Sequence, residues 1–485
     1  MLLFSLGLLV LIIGYFTYGK LVEKVLAPDD RATPCMKNPD GVDFVPLPHW
    51  KNMLIQLLNI AGIGPVIGVI LGIKFGEIVF VIIPVGNLIA GATHDFLAGM
   101  MSLRHDGANL PTLVRDNLGN VYARCFSIFT VFLLLLVVAV FINVPAKLIA
   151  GLLPGDCFWI AVGLIGLYYV LAALFPVDKI IGMLYPWFGG LLVVSTFAIG
   201  GALLYQSFRD PSLLQESARF QAQMFKGENY PIIPLLFVTI ACGIISGFHA
   251  TQSPIIARTM QSERQARSSF YGMMVLEGII GMIWAGAGLA IYNLFPQYMA
   301  LNPNAVLQHI TTHFLGSVAG NITVIGVIVL AVTSGDTALR STRLALAEML
   351  KLDQKPLGNR LMLCLPLLVI VSDLLWWSNQ SARTFGFLWN YFAWGNQVLA
   401  ASTLLAASVW LARRGKNRWI ALVPAAFMTF IVLTYILWIS PAHKGPAGFG
   451  LPLHVAYVIA AQLTLFALLW VWQLGKRKIT DGEQQ

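Results

Sequence analysis

The chain has 485 residues, of which 58% are hydrophobic and only 11% are charged. Soluble domains carry about 25% charged residues, so this composition excludes a soluble globular protein. The net charge of +9 is not taken as a sign of nucleic-acid binding, because the loops contain no recognition module.

Apolar runs of about 20 residues, the length that crosses a bilayer as a helix, recur from end to end. The prediction is an all-α polytopic protein of the lipid bilayer, in one membrane domain. Its thirteen transmembrane helices, numbered here as spans 1 to 13, centre on 2–19, 53–73, 77–101, 123–148, 157–175, 180–205, 231–257, 271–295, 320–342, 359–378, 384–411, 419–440 and 452–474.

The charges of the loops predict how the chain is oriented. If the loops are assigned alternately to the two sides of the membrane, one side receives most of the 31 basic residues. Positive charge is retained in the cytoplasm. The amino terminus is therefore predicted outside and the carboxy terminus in the cytoplasm.

Span 2 is interrupted in the stretch LLNIAGIGPVIGVIL, where Gly62, Gly64 and Pro65 stand in mid-span. A helix can break inside a membrane only where the freed backbone is buried in protein or lines a wet cavity. Proline suits the first position of a helix because it has no N–H to lose there. A half-helix is therefore predicted to begin at Pro65.

Span 7 is interrupted in GIISGFHATQSPIIAR, which turns polar at residues 247–252. Ser253 suits an N-cap and Pro254 a first helical position, so a second half-helix is predicted to begin at Pro254. His249, Thr251, Gln252 and Ser253 are candidate substrate-binding residues, together with the glycines and proline of the first break. The alternative is that these side chains only satisfy local backbone groups, and capping alone explains Ser253.

The two breaks lie five spans apart on helices of opposite direction, which predicts a five-plus-five inverted repeat. Residues 51–205 and 231–411 form the two repeats, preceded by helix 1 with its loop (1–50) and followed by two helices and a tail (412–485). In such folds discontinuous helices meet near the midplane, and their positive N-termini face an anionic group. The alternative is a pair of proline kinks in ordinary spans.

Five blocks of sequence resemble the carbon-starvation CstA family: GPVIGVILG at 64–72, AGATHDFLAGMMSLRHDG at 90–107, GFHATQSPIIAR at 247–258, YGMMVLEGIIGMIWA at 271–285 and YFAWGNQVLAA at 391–401. The resemblance implies the LeuT-like inverted repeat of the amino acid–polyamine–organocation superfamily. It also implies uptake of pyruvate or peptides across a bacterial plasma (inner) membrane, with proton coupling in the pyruvate members. The chain is similar to the shorter members, so both substrates stay open.

Two acids lie within spans, where an ionisable side chain marks an ion or proton path by default. Glu277 shares a helix face with Gly281 and is predicted to point into protein and to carry the proton; the alternative is a snorkelling or helix-paired glutamate. Asp336 is a second proton-coupling candidate. It also stands four residues before Arg340, so a structural ion pair is an equal alternative.

Sodium coupling is an alternative to protons. The resemblance to the superfamily implies that the third span of the second repeat offers hydroxyl oxygens to sodium, opposite carbonyls of the first break. Thr333 and Ser334 lie on that span, and they would face the carbonyls near Ile60 and Ala61.

Two His–Asp pairs, His94–Asp95 and His105–Asp106, lie in span 3 and just after it. No further ligand falls at metal-site spacing, so neither a metal nor another cofactor is predicted. Asp95 and Arg104 are instead predicted to pair in a cytoplasmic gate, with Asp106 beside them.

Three amide side chains in span 11, Asn390, Asn396 and Gln397, are expected to pack helices together, with substrate contact as the lesser possibility. No GxSxG, HExxH or SxxK stands inside a span and no Walker A motif occurs, so an enzyme or a primary pump is not predicted. A channel or receptor remains an alternative to a transporter. The sequence does not set an oligomeric state, and widely scattered cysteines predict free thiols.

Overall fold

The computed structural model describes residues 1–174, 181–443 and 445–476. The predicted junction of spans 5 and 6, at 175–180, lies outside them, as do Arg477 and Lys478 of the predicted cytoplasmic charge. The described chain is helical, with one isolated β-bridge between Leu47 and Met260.

Helices occupy every predicted span. Nine that are long and apolar enough to cross a membrane are Leu2–Leu26, Val79–Leu103, Asn120–Leu152, Glu263–Leu294, Pro303–Leu350, Leu357–Ser378, Arg383–Arg413, Trp419–Trp438 and Leu453–Leu474. Spans 5 and 6 are Phe158–Leu174 and Ile181–Arg209. Spans 2 and 7 are each made of shorter helices. The chain is thus an integral membrane protein, and helices of the described residues lie in each of the thirteen predicted spans.

Span 1 shows how the apolar helices divide between protein and lipid. Phe4, Gly7, Leu11 and Gly14 recur every three or four residues and are buried. Leucines and isoleucines on the opposite side of the helix are exposed. An apolar surface that faces outward is stable only against lipid.

Span 9 is longer than a bilayer is thick, and it is not one straight rod. Gly316 has φ +78°, a left-handed conformation that breaks the helix within Pro303–Leu350. The segment before it folds back, because Gly320 packs against the backbone of Thr311. The membrane-crossing part therefore begins after Gly316.

Span 2 is broken as predicted. The helices His49–Ile60 and Gly64–Phe75 are bent by 53° at the break. Pro65 stands in the first turn of the second half-helix, where a missing N–H costs nothing. A side chain at Gly62 would lie 2.8 Å from the ring of Phe141, so the break is enclosed by protein.

Span 7 is also broken, but the predicted position is wrong. The break lies at Ile245 and Ser246, whose backbones are extended, and the second half-helix is Gly247–Ala257. Pro254 lies inside that helix. Ser253 does not cap it, since its hydroxyl donates to the carbonyl of His249 at 3.1 Å.

The cause of the shifted break is span 11. A Cβ atom at Gly247 would meet the carbonyl oxygen of Asn396 at 2.5 Å and would also clash with Leu399 and Ala400. The close backbone approach of span 11 therefore fixes where span 7 opens. Proline inside a helix removes one hydrogen bond without dictating a break, and span 11 is too distant in sequence for local patterns to reveal.

The two broken spans cross as antiparallel partners. The second half of span 2 packs against the first half of span 7, with Gly68 beside the carbonyl of Thr239 and Gly243 beside Val69. At the other end, the half-helix Gly247–Ala257, which carries His249, packs against the helix His49–Ile60 that ends at the first break. The two breaks are therefore adjacent, as an inverted repeat requires.

The loops gather at two ends of the helix bundle. At one end, which we call the basic face, Leu47 N–H donates to Thr259 at 2.9 Å and Arg104 pairs with Glu263 at 2.9 Å. At the other end, the amino terminus donates to Leu214 at 2.8 Å. This separation agrees with the alternating loop assignment, and the basic face is the one predicted to be cytoplasmic.

Candidate functional site

A cluster of ionisable side chains lies between the two breaks. Asp95, His249 and Glu277, which we call the polar centre, are each at most 1% exposed. His249 Nδ1 lies 3.1 Å from Asp95 Oδ2, and His249 Nε2 lies 3.8 Å from Glu277 Oε2. A single imidazole therefore stands between two buried carboxylates.

Three helices position this centre. His249 lies in the first turn of the half-helix Gly247–Ala257, Asp95 in span 3 and Glu277 in span 8. His94 supports Asp95 through an Nδ1 to Oδ1 contact of 2.8 Å, while its Nε2 has no hydrogen-bond partner among the described residues. The contact with His94 therefore fixes one oxygen of Asp95, while the other oxygen meets His249.

The charges of the polar centre do not cancel without another cation. A protonated His249 neutralises one carboxylate, and the second stays uncompensated. An unpaired charge in a buried site costs several kcal/mol. The centre is therefore stable when one more proton, or another cation, is bound with it.

Further polar groups lie close to the breaks. The side chains of Gln56, Asn59 and Asn396, together with the hydroxyl of Ser246, are buried and have no hydrogen-bond partner in the part of the chain described. Buried polar groups are normally bonded, so these are candidates to meet a polar ligand. The sequence analysis missed Gln56 and Asn59, although two amides just before a glycine-rich break were a usable signal.

Of the predicted substrate residues in span 7, only His249 belongs to the polar centre. The Thr251 hydroxyl donates to the Phe248 carbonyl at 2.6 Å, and the Gln252 amide donates to Ser341 of span 9 at 3.2 Å. Together with the bond from Ser253 to the His249 carbonyl, these contacts stabilise the half-helix and attach it to span 9.

The predicted gate between Asp95 and Arg104 is wrong. The two residues lie nine positions apart on one helix, about 13 Å along its axis, so Asp95 is in mid-span. Arg104 binds Glu263 through two contacts of 2.9 and 3.0 Å. Asp106 lies at the surface and pairs with Lys37 at 3.2 Å.

Span 9 meets the first break at the place predicted for a cation. The Ser334 hydroxyl donates to the Leu58 carbonyl at 2.9 Å, two and three residues before the predicted carbonyls of Ile60 and Ala61. Thr333 donates to its own helix, at the Leu330 carbonyl. Asp336 accepts a hydrogen bond of 2.6 Å from the Tyr168 hydroxyl. The charges of Asp336 and Arg340 both act on that hydroxyl.

The amides of span 11 take different roles. Gln397 donates to the carbonyl of Ile245 at 3.0 Å and so satisfies a backbone group freed by the second break. Asn390 bonds to Gly386 and accepts from Tyr435 of span 12, which are packing contacts. Among the described residues, both polar atoms of the Asn396 amide and the Gln397 Oε1 atom have no hydrogen-bond partner and could meet a ligand.

Replacing Gln397 by Leu is expected to lower the free energy of unfolding by about 1–3 kcal/mol, because the buried carbonyl of Ile245 loses its donor. Thermal unfolding of the purified protein in detergent measures the change. Gln223→Leu, at an exposed glutamine, is the matched control and is expected to leave the melting temperature unchanged. Equal melting of Gln397→Leu and wild type would show that Gln397 does not hold the break.

Several solved structures share this helix arrangement. A manganese transporter from Eremococcus coleocola matches with a TM-score of 0.60 at 15% identity and covers 90% of this chain and 99% of its own. MhsT in complex with L-phenylalanine matches at 0.56 and 12%, covering 89% and 99%. A Na+-coupled sialic acid symporter also gives 0.56 and 12%, covering 97% and 99%.

The helix arrangement is thus a LeuT-like five-plus-five inverted repeat in a membrane protein, with a buried ionisable centre beside its two breaks. The sequence identifies the family through one profile that matches three overlapping segments. The profile of the carbon starvation protein CstA family matches residues 1–172, 162–313 and 296–435. The chain belongs to the CstA family.

Curated relatives agree with this assignment. The peptide transporter CstA of Campylobacter jejuni is 26% identical over 87% of this chain and 77% of the relative. The pyruvate/proton symporter BtsT of Escherichia coli is 26% identical over 56% of this chain and 47% of the relative. An uncharacterized membrane protein of Haemophilus influenzae is 38% identical over 60% of this chain and 91% of its own. The relatives of named activity are transporters and not enzymes.

Proposed function

We propose that the protein imports a small carboxylated nutrient, pyruvate or a short peptide, together with protons. The observation that carries the proposal is His249 between the buried carboxylates of Asp95 and Glu277. One imidazole balances one carboxylate, so a proton on the second makes the centre neutral. A site whose buried charge changes with protonation is suited to couple a proton to the movement of the helices around it.

The two half-helices support an anionic substrate. Their N-termini, at Gly64 and Gly247, carry partial positive charge, which favours a carboxylate without a nearby arginine. The unpartnered amides of Asn59 and Asn396 add donors beside the breaks. The names of the relatives, a peptide transporter and a pyruvate/proton symporter, favour the same substrate class.

In the proposed cycle, the proton and the carboxylate bind from the outer side while the basic face is closed. The proton neutralises Glu277, and the positive N-termini of the half-helices face the substrate carboxylate, which lowers the cost of enclosing both groups in protein. The half-helix Gly247–Ala257 carries His249 and is bonded to span 9 through Gln252, so its movement would open the basic face. Release of the proton then restores the charged centre.

Sodium is the second candidate coupling ion. It is favoured by the contact of Ser334 with the Leu58 carbonyl at the first break. Sodium binds hydroxyl and carbonyl oxygens, whereas the polar centre offers carboxylates and an imidazole that exchange protons. The two hypotheses therefore make different residues essential.

The test is uptake of labelled pyruvate and of a labelled dipeptide into vesicles that contain the purified protein. For one proton per substrate, a gradient of one pH unit supports about tenfold accumulation, since each unit corresponds to about 1.36 kcal/mol. Ser334→Ala is expected to leave that accumulation intact. Uptake that is driven by a sodium gradient and is lost in Ser334→Ala would show that sodium, and not the proton, is the coupling ion. Uptake that responds to neither gradient would contradict symport.

A further inference from the structure

A second charged cluster lies at the basic face, apart from the polar centre. Arg340 and Arg343 stand one turn apart on span 9, and their side chains are 1% and 0% exposed. Both face Asp43 of the loop between spans 1 and 2. Arg340 Nη1 donates to Asp43 Oδ1 at 2.8 Å, whereas Arg343 Nη2 lies 3.6 Å from Asp43 Oδ2.

Arg343 is incompletely bonded for a buried guanidinium. Its Nη1 donates to Gln354 at 2.5 Å, while its Nε and Nη2 have no hydrogen-bond partner among the described residues. The acid closest to it already accepts from Arg340. Arg340 and Arg360 both add positive charge near Arg343, against the negative charge of Asp43. Two donors on one edge of a planar guanidinium are the arrangement that binds a carboxylate.

The pKa of Asp43 is also affected by the arginines around it. Burial raises the pKa of its carboxyl, but the charges of Arg340 and of two more arginines outweigh burial, and the pKa lies below its usual value. Arg258, one of those two, directs its own hydrogen bonds to the Gly107 carbonyl and to Asn109, which are neutral acceptors. An additional anion would therefore be electrostatically favoured beside Arg343.

A chain of polar contacts connects this cluster with the broken span. Gln252 of the half-helix donates to Ser341, and the Ser341 hydroxyl donates to the Thr251 carbonyl at 3.0 Å. Ser341 lies between Arg340 and Arg343 in the sequence of span 9. A separation of the half-helix from span 9 would break these contacts and expose the arginines to a ligand leaving the centre.

We propose that Arg343, with Arg340, forms a second carboxylate-binding site at the basic face, where the acid group of the substrate is held before release. The guanidinium edge of Arg343 is its anchor, and Asp43 is the internal carboxylate that competes with the ligand. The assignment of the ligand as substrate rests on the proposed function. The existence of the site does not, because a bare carboxylate is a sufficient probe.

Acetate binding tests the site without any transport assay. The melting temperature of the detergent-solubilised protein is titrated with sodium acetate, with sodium chloride and sodium phosphate as comparators at equal ionic strength. Arg343→Gln is expected to shift the midpoint of the acetate titration to concentrations about tenfold higher, because a charge-assisted bidentate contact is lost. Asp43→Asn is expected to shift it the opposite way, because the competing carboxylate is gone.

Shifts of opposite sign in Arg343→Gln and Asp43→Asn indicate a binding site. If the two residues only formed a structural ion pair, both variants would shift the acetate midpoint in the same direction. Arg264→Gln and Asp30→Asn are matched controls, since they remove an exposed pair from the same face. Arg343→Lys keeps the charge without the planar fork and is expected to bind acetate with intermediate affinity. Unchanged acetate midpoints in Arg343→Gln, equal shifts in both variants, or a response to phosphate alone would overturn the proposal.

Sidedness then identifies the ligand as substrate. In vesicles of known orientation, Arg343→Gln is expected to raise the half-saturating pyruvate concentration on the basic face and to leave the value on the other face unchanged. If acetate binding depends on Arg343 but the protein does not transport pyruvate, the carboxylate site is supported and pyruvate transport, as the proposed function, is refuted. Pyruvate transport with equal half-saturation on both faces in wild type and variant would refute the release role.

Discussion

Replacing Glu277 by Gln is expected to abolish accumulation of substrate against a pH gradient while exchange of substrate across the membrane continues. Glutamine keeps the size of the side chain and can hydrogen-bond, but it neither takes up nor releases a proton. The polar centre then stays neutral throughout the cycle, so substrate binding no longer requires a proton. Accumulation under one pH unit should fall from about tenfold to none.

The measurement is net uptake compared with exchange of labelled for unlabelled substrate in the same vesicle preparation. Glu228→Gln, which removes an exposed glutamate from a loop, is the control and should accumulate substrate as wild type does. Full accumulation in Glu277→Gln would show that another group carries the proton. Asp95 and its partner His249 would then be the next residues to replace. Loss of exchange as well would indicate a damaged site and not a lost proton carrier.

Replacing Gly247 by Ala is expected to disrupt the packing of span 7 against span 11. The added carbon would meet the Asn396 carbonyl at 2.5 Å and would clash with the backbone of Ala400. Backbone atoms cannot move aside as a flexible side chain can, so span 11 must retreat from the break. We expect a loss of about 1–3 kcal/mol in the free energy of unfolding, together with loss of transport.

Gly201→Ala is the matched control for that substitution. Gly201 also lies in a transmembrane helix, and a Cβ atom there would have no neighbour within 4 Å. Alanine is the better helix former by about 1 kcal/mol, so this variant should be at least as stable as wild type. Thermal unfolding and uptake are measured for both variants. Wild-type uptake by Gly247→Ala would show that the close contact of spans 7 and 11 is not needed for the cycle.

Span 7 illustrates where inference from sequence succeeds and where it stops. Glycines and polar residues in an apolar run indicated a break, because backbone N–H and C=O groups in lipid must stay hydrogen-bonded and a helix therefore opens only where protein can satisfy them. The same stretch contains Ser253 and Pro254, a good local signal for a helix start, and that signal placed the break several residues too late. The approach of span 11 at Gly247 decided the position, and no pattern within span 7 encodes it.

Asp95 shows the same limit for a site residue. Its neighbours in sequence, His94 and Arg104, suggested first a metal and then a gate. Its partner in the structure is His249, 154 positions along the chain, on a helix of the other repeat. Glu277 was identified in advance, because a lone acid in an apolar helix is conspicuous by itself.

The sequence by itself determined the membrane class, the thirteen spans, the two broken helices and their opposed directions. Each depends on the local energetics of apolar runs, glycine and proline. Only the tertiary structure decided that the two breaks adjoin, that Asp95, His249 and Glu277 share one buried centre, and that Arg343 keeps two open donors beside Asp43. Those facts depend on which distant helices pack together, and packing between helices is set by shape over the whole bundle.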